Sequence, residues 1–374
     1  MAFGSLGILR IFASQYNPML QDTLNIKVTR TTKSHINDVD WDNLPFGKIF
    51  SDHMLVMDYK DGEWQQPEIV PFGNLSLHPA TSAIHYGQSI FEGLKANKGE
   101  NGEILIFRPD MNAIRFRESC ERMCMPVIQE DMFVELVRKT VEVDADWVPA
   151  REGYSLYIRP FMFATDEFVG IRPSETYKFI VFTCPVGSYY SEPVNVKIEE
   201  FYTRASVGGV GRAKTAGNYG ASLYPAKQGQ LKGFHQLVWT DGKEHKYIEE
   251  SGTMNIVFVI DGVMITPSED ADTILRGVTK RSVLDIAKSW GIPVEERKVS
   301  VQEIVDAIRA GKLQDAFGAG TAATIAPIAR IGYRDEVFTL PPLEGRELSI
   351  RIKKHLDDLK AGKTEDSHGW CLKV

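Results

Sequence analysis

The stretch GRAKTAGNYG, residues 211–220, sets one lysine, Lys214, among three glycines and two alanines, with Tyr219 five positions further on. Neighbours this small leave the backbone open to the close approach of a bulky group. Three readings fit the stretch. One is a phosphate loop. GGVGRAKT, residues 208–215, is one residue away from the G-x-x-x-x-G-K-[ST] pattern, with Ala213 where the last glycine belongs. Such a loop runs straight into a helix whose N-terminus holds the phosphate. The residues that follow here, AGNYG (216–220), read as a turn rather than as a first helical turn. Another reading is a covalent lysine. An amine attacks a carbonyl only when neutral, so such a lysine must be brought down from its usual pKa of about 10.4 by desolvation or nearby positive charge. The last is a solvated lysine on a surface loop.

Composition bounds the choice. The chain has 374 residues, enough for two domains, with 43% hydrophobic and 25% charged residues, as in ordinary globular proteins. Its formal net charge of −7 argues against nucleic acid as a main partner. No apolar run approaches the roughly 20 residues that span a bilayer. Four cysteines make no disulfide framework and fit a reducing, cytoplasmic setting. Cys120 and Cys124, spaced i, i+4 on an expected helix, read as two small buried residues rather than as a metal or redox pair. The N-terminus makes a poor signal peptide, and its lack of acids before Asp22 keeps a mitochondrial transit peptide as the alternative.

Along the chain, residues 1–40 are polar and pattern-poor and read as a loose arm. Strands are expected over 53–70, broken by a Lys60-Asp61-Gly62 turn, and at 104–107, 154–163 and 178–184. Phe116, Cys120 and Met123 predict a helix. The Gly, Ser and Pro cluster at 187–195 marks an interdomain linker, set at 191–203, between a small domain (41–190) and a large one (204–374). The large domain alternates strands at 236–240, 254–260 and 263–266 with helices. One helix carries Val283, Ala287 and Trp290 and ends at Gly291; another carries Leu348, Ile352, Leu356 and Leu359 and ends at Gly362. The class is mixed α and β.

Lys214 has company elsewhere in the chain. Glu250 lies in IEESGTMNI between apolar stretches, where an acid needs a partner unless it sits solvated at a strand end. Gly277-Val278-Thr279 opens a helix, either as a plain N-cap or as a phosphate site built from free N–H groups and the Thr hydroxyl. Gly318-Ala319-Gly320-Thr321 offers a second nest of backbone donors after a strand. A lysine, an acid, a hydroxyl donor and a phosphate cup are what pyridoxal phosphate asks of a protein.

AKTAGNYGAS, IEESGTMNI, RGVTKRSVLDIAK and FGAGTAATIAPI, with HYGQSIFEGLKA and LYIRPFMF in the first half, resemble in order and spacing the branched-chain amino-acid aminotransferases. The resemblance runs from about Phe46 to the C-terminal HGW. It implies the two-domain fold type IV of pyridoxal-phosphate enzymes, with a smaller N-terminal α/β domain and a larger C-terminal domain with a pseudobarrel-like core. It also implies a homodimer or higher oligomer in which each site is partly lined by the neighbour. Lys214 corresponds to the Schiff-base lysine that also shuttles the substrate α-proton. Glu250 corresponds to the acid at the pyridine nitrogen, and Tyr219 to the donor at the ring hydroxyl. Arg115, Val278, Thr279 and Thr321 correspond to the phosphate cup. Residue type alone does not separate Arg115 from Arg108, Arg117 and Arg122; spacing from Phe107-Arg108-Pro109 selects it. Phe46, Tyr86, Phe91, Tyr157 and Tyr189 correspond to the aromatic wall for a branched side chain. Tyr157 and Arg159, two apart on a strand, face the same way, and Arg159 is expected to receive the γ-carboxylate of glutamate or 2-oxoglutarate. Thr253 and Ala322 correspond to the groups at the α-carboxylate. Animal members carry Cys-x-x-Cys after the Gly-x-Gly-Thr turn, whereas this chain has Ala323-Thr324-Ile325-Ala326, so thiol regulation of that kind is not expected.

The implied activity is reversible transfer of the amino group of L-leucine, L-isoleucine or L-valine to 2-oxoglutarate, with no metal involved. Enzymes of the same fold acting on D-amino acids or aminodeoxychorismate share the lysine and the acid. The first-half motifs HYGQSIFEG and LYIRP favour the branched-chain group over these. A nucleotide-binding module using GGVGRAKT and a non-catalytic relative remain as other classes of reading.

Overall fold

The computed structural model describes residues 24–187 and 192–374. Two large sheets organise them. The first is built from the alternating apolar runs of the N-terminal half. Its order is Lys27–Val28, Glu68–Pro71, His53–Lys60, Tyr177–Val186, Ser155–Ala164, Leu94–Lys98, Ile104–Phe107 and Cys371–Lys373. Glu63–Trp64 and Ser89–Phe91 pair onto its face strands, and every pairing except that of Lys27–Val28 is antiparallel. Helices Pro109–Arg122 and Glu130–Val143 cover the sheet. Phe116, Phe133 and Phe179 meet there with ring centroids 5.0, 5.5 and 6.0 Å apart, all fully buried. Each buried ring of this kind contributes about 2–3 kcal/mol of transfer free energy.

The second sheet closes on itself. Met254–Ile260, Leu313–Gly320, Thr324–Tyr333, Val194–Ile198, Gln236–Thr240 and Tyr247–Ser251 follow one another, and Tyr247–Ser251 pairs back onto Met254–Ile260 through Glu250↔Asn255. This ring is the barrel-like core the resemblance implies. Helix Val278–Ser289 and helix Glu347–Lys360 lie against it, burying Val283, Ala287, Ile352, Leu356 and Leu359 as their spacing predicts. Gly362, at φ +65°, ends the second of these in a conformation only glycine adopts cheaply.

The structure differs from the sequence reading in five places. Residues 24–40 are not a loose arm, since Lys27–Val28 adds an edge strand and Leu24, Ile26, Ile36 and Val39 pack on the first core; the rest of that reading lies outside the described residues. The segment 191–203 contains Val194–Ile198, a central strand of the second ring, so it is not simply a linker. Cys371–Lys373 crosses back from the C-terminal half to pair with Ile104–Phe107 in the first sheet. Cys124 lies beyond its helix at φ +53° and is exposed, while Cys120 is buried.

The fifth difference is the most instructive. AGNYG is not a turn but the start of helix Ala216–Leu231. Its buried residues are Asn218, Pro225 and Gly229, so it docks through small residues and shows no apolar stripe. A Cβ on Gly229 would come within 2.9 Å of a Leu237 methyl. Tertiary contact overrides weak local propensity here.

Candidate active site

Lys214 is not loose. Its amide donates to Ser119 Oγ at 3.0 Å, its carbonyl accepts from the Phe91 amide at 3.0 Å, and Thr215 donates to the Ser89 carbonyl at 2.7 Å. The glycine-rich run is therefore stitched to the strand Ser89–Phe91, and only the side chain is left to reach inward. Its Nζ donates to Tyr219 Oη at 2.8 Å and stands 4.8 Å from the Phe91 ring centroid. Although a helix does follow Thr215, the loop before it is no phosphate nest. The Gly208 and Gly209 carbonyls accept from Arg122, and those of Val210 and Ala213 accept from Asn218. Acceptors rather than N–H donors are thus turned to their partners.

Glu250 shares the cavity with Lys214 and is buried at the strand pair that closes the ring. Its Oε1 accepts from the Leu275 amide at 2.8 Å. Oε2 lies 3.0 Å from Arg204 Nε, an ion pair whose nitrogen is not aligned for a hydrogen bond. Burial pushes the carboxyl above its ordinary range, and the charge of Arg204 pulls it back only in part. Arg204 itself is committed elsewhere, donating to the Thr273 carbonyl.

Arg115 projects from helix Pro109–Arg122 into the same cavity and is buried. A two-pronged contact holds it: Nε and Nη2 each donate at 2.8 Å to Glu92, and Nη1 donates to the Arg276 carbonyl at 2.9 Å. Burial would raise the Glu92 carboxyl, but the Arg115 guanidinium outweighs it and holds Glu92 below the usual carboxylate range. The other three arginines lie elsewhere. Arg108 stacks 4.6 Å above Trp370, Arg117 pairs with Glu121 and Glu130, and Arg122 holds the Gly208 and Gly209 carbonyls. Beside Arg115, helix Val278–Ser289 starts at Gly277 with no side-chain cap, so its first N–H groups are free of a local acceptor. A Cβ on Gly277 would fall 1.8 Å from Asn255 Oδ1, so only glycine fits. Val278, Thr279 and Thr321 all line this corner.

Phe46, Phe91, Tyr157, Arg159, Thr253 and Ala322 complete the lining. Phe46 and Tyr157 meet edge-on at 5.2 Å. Gly93 makes room for Tyr157, whose hydroxyl would otherwise be 2.2 Å from a Cβ. Arg159 donates to that hydroxyl at 3.0 Å and lies 4.6 Å over Phe91, while its buried Nε has no hydrogen-bond partner among the described residues. Tyr86 is not brought to the site within this chain; it ends helix Ser82–Tyr86 and is 42% exposed. Tyr189 falls outside the described residues.

Sequence reasoning missed four residues that the structure ties to these groups: Glu92, Arg204, Asn255 and Lys95. Glu92 stood inside the FEG run with no role given, and a buried acid flanked by Phe91 and Gly93 was the available signal. Arg204 and Lys95 carried none, because their contacts are made 46 and 227 positions away, with Glu250 and Ala322.

Pyridoxal phosphate fits this donor set on the evidence of the site alone. A lysine Nζ stands against a tyrosine hydroxyl, a helix N-terminus lies uncapped beside an arginine, and a buried carboxyl is short of an aligned cation. A protonated ring nitrogen is the complement of that carboxyl.

Comparison with known proteins gives the same answer. Bacillus subtilis branched-chain-amino-acid aminotransferase 2 is 42% identical over 360 residues, covering 95% of this chain and 98% of that protein. A probable branched-chain-amino-acid aminotransferase of Staphylococcus epidermidis is 42% identical over 90% of this chain and 94% of its own length. The crystal structure of the Escherichia coli branched-chain amino acid aminotransferase superposes with a TM-score of 0.69 at 26% identity, over 86% of this chain and 98% of that one. The fold is shared with the Thermobaculum terrenum enzyme, solved in its PLP-form, at a TM-score of 0.68 and 20% identity over 86% of this chain and 98% of that one. The family model described as amino-transferase class IV matches residues 89–331, which take in strands of both sheets and every residue lining the Lys214 cavity except Phe46, and the chain belongs to that family.

Proposed function

We propose that this protein is a pyridoxal-phosphate-dependent aminotransferase that moves the amino group of L-leucine, L-isoleucine or L-valine to 2-oxoglutarate, reversibly. One observation carries the reading: Lys214 Nζ is held at 2.8 Å by Tyr219 in a cavity that also contains the buried carboxyl of Glu250. When bound, the cofactor supplies a reactive carbonyl carbon and a ring that stores an electron pair. This chain's residues do the rest. Arg115, the amides of Val278 and Thr279, and Thr321 hold the phosphate. Glu250 keeps a proton on the ring nitrogen, and Tyr219 fixes the ring hydroxyl. Lys214 Nζ takes the substrate α-proton and returns it, since its short tether to the strand Ser89–Phe91 leaves the amine as the mobile base.

Phe46, Phe91 and Tyr157 form an apolar wall suited to a branched side chain. A wall of this kind separates substrates by only about 1–3 kcal/mol per methylene, so the three amino acids are expected to overlap. Arg159, with its unpartnered Nε, is the group suited to the second carboxylate of glutamate and 2-oxoglutarate. Thr253 and Ala322, which line the same cavity, are the groups we assign to the α-carboxylate.

We also infer a cytoplasmic homo-oligomer, a dimer or higher. Ile84, Tyr86, Val169, Ile171 and Leu223 are all exposed, Ile171 at 92%. Tyr86, away from its own cavity, would then be available to the neighbour's. The four free cysteines support a reducing compartment. No helix among the described residues is long and apolar enough to cross a membrane.

Visible absorbance of the purified protein tests the function. A yellow band that changes with L-leucine alone and returns with 2-oxoglutarate is expected. A band answering only D-amino acids, or a protein that stays colourless with added pyridoxal phosphate, would overturn it.

A further inference from the structure

Behind the turn that carries Thr321 and Ala322 lies a second, larger cavity, and Ala322 borders both. Two lysines reach into the wall between them. Lys95, on the strand Leu94–Lys98, donates to the Ala322 carbonyl at 2.7 Å. Lys360, at the end of helix Glu347–Lys360, is buried, donates to Thr324 Oγ1 at 2.8 Å and stands 5.0 Å from the Phe107 ring. Thr324 is itself held at φ +61°, a conformation a β-branched residue rarely takes.

Glu100, Glu192 and Lys98 also line the cavity, and Arg151 on its wall pairs with Asp42; most of the remaining charges are spoken for. Lys353 pairs with Asp357 at 2.6 Å, Lys354 with Asp358 at 2.5 Å and Lys363 with Glu152 at 3.0 Å. Neither Lys95 nor Lys360 has a carboxylate within ion-pair distance among the described residues, although Asp357 is close enough to be felt by both. An ammonium has three donors, and each of these lysines has one protein acceptor. A buried ammonium with no carboxylate in ion-pair distance is costly in water-poor surroundings, so both amines hold their protons less tightly than usual. The other neighbour in reach of Lys360 is the Cys371 thiol, which burial pushes up to about 12 and keeps neutral.

We propose that this second cavity is a binding site for a small oxyanion, a phosphate or a carboxylate, held between Lys95 Nζ and Lys360 Nζ. Burial holds Lys95 at about 7, with the charge of Lys360 adding to the effect, and Lys360 at about 8. An anion therefore draws protons onto both as it binds. Because both lysines grip the Thr321–Thr324 turn, a bound anion tightens that turn from the side away from Lys214. The site stands whether or not the transaminase reading holds; only its influence on catalysis rests on that reading.

Calorimetric titration of the cofactor-saturated protein at pH 8 tests this, using inorganic phosphate in one arm and acetate in the other, at constant ionic strength. The expected result is saturable binding of one anion per chain, with a heat that changes with buffer ionisation enthalpy because protons are taken up. The arm with the tighter binding identifies the oxyanion class. Lys95→Met and Lys360→Met should each weaken binding at least tenfold, and Lys98→Met should not. No saturable binding in either arm, or binding by either Met variant as tight as that of the wild type, overturns the proposal. If the Met variants do not fold, the wild-type heat alone decides: independence from the buffer overturns it.

Discussion

At the scale of single residues, the site is a set of charges held in tension. Glu250 is kept above the ordinary carboxylate value of 4.5 by burial, against the pull of Arg204. Its folded form therefore binds a proton more tightly than its unfolded form does. The cofactor-free protein should lose stability as pH rises through the window just above 4.5, and regain it as pH falls back. Glu92 has the opposite sign, so the stability it contributes is lost only as pH falls below that window. Urea titrations of the cofactor-free protein and of Glu250→Gln between pH 4.5 and 7 separate the two. The variant's profile is expected to be flatter, and an unchanged profile would remove Glu250 from the account. Arg159 offers a second test. Arg159→Met should raise KM for 2-oxoglutarate about tenfold, the cost of losing one charge-assisted hydrogen bond of roughly 1.5 kcal/mol. KM for a branched-chain oxo acid, measured in the reverse direction, should move far less. An equal rise for both would mean that Arg159 acts through the packing of Phe91 and not through a carboxylate. Residue identities were legible at this scale where a type is chemically rare in its setting, as with Lys214 among glycines. Partners such as Arg204 were not, because an arginine reads the same whether it pairs with Glu250 or with solvent.

Among secondary-structure elements, the corner where helix Val278–Ser289 starts depends on one atom's absence. Gly277→Ala would drive a methyl into Asn255 Oδ1, and Asn255 donates to Leu275 and lies 3.4 Å from Glu250. The substitution should destabilise the fold by about 1–3 kcal/mol, as overpacking does. Pyridoxal-phosphate affinity should fall as well, because the helix N-terminus and the Glu250 side are displaced together. Thermal melting and cofactor titration of the variant check both. Elements with strong periodicity were legible almost to the residue: 104–107, 236–240 and 254–260 match Ile104–Phe107, Gln236–Thr240 and Met254–Ile260. Helix Ala216–Leu231 was not, since its docking face is Asn218, Pro225 and Gly229 and its first turn is rich in turn-forming residues. Period-based reading needs an apolar stripe, and close helix–sheet approach removes it.

For the molecule as a whole, which strands share a sheet is decided by long-range pairing that local patterns do not encode. Val194–Ile198 looked like linker because it follows a Gly, Ser and Pro cluster, yet it sits between Thr324–Tyr333 and Gln236–Thr240. Cys371–Lys373 is short and carried no strand signal, yet it edges the first sheet beside Ile104–Phe107. Trp370 just before it packs at 6.0 Å on Phe107 and accepts the Arg108 amide through its carbonyl. Deleting residues 371–374 should therefore lower the melting temperature by about 1–3 °C, as a loss of about 1–2 kcal/mol does in a chain of this size. The deletion should also expose the thiol of Cys120 or Cys184 to a titrating reagent no faster than before, since both are buried, Cys184 in a cluster without residues 371–374 and Cys120 in one that these residues border only through Leu372 and Val374. Faster labelling would mean that the edge strand supports the whole first core.

That returning strand also has a mechanical meaning. The chain passes from the first sheet to the second between residues 186 and 194, and passes back again after Lys360. Two bodies joined by a single cord can swing in any direction; joined at two separate points, they can turn only about the line between those points. Were the contacts that stitch Lys214 and Thr215 to Ser89–Phe91 lost, relative movement of the two sheets would still be confined by the chain to one axis, like a door on two pins. A cut at the first crossing would leave the pieces hooked together by the second.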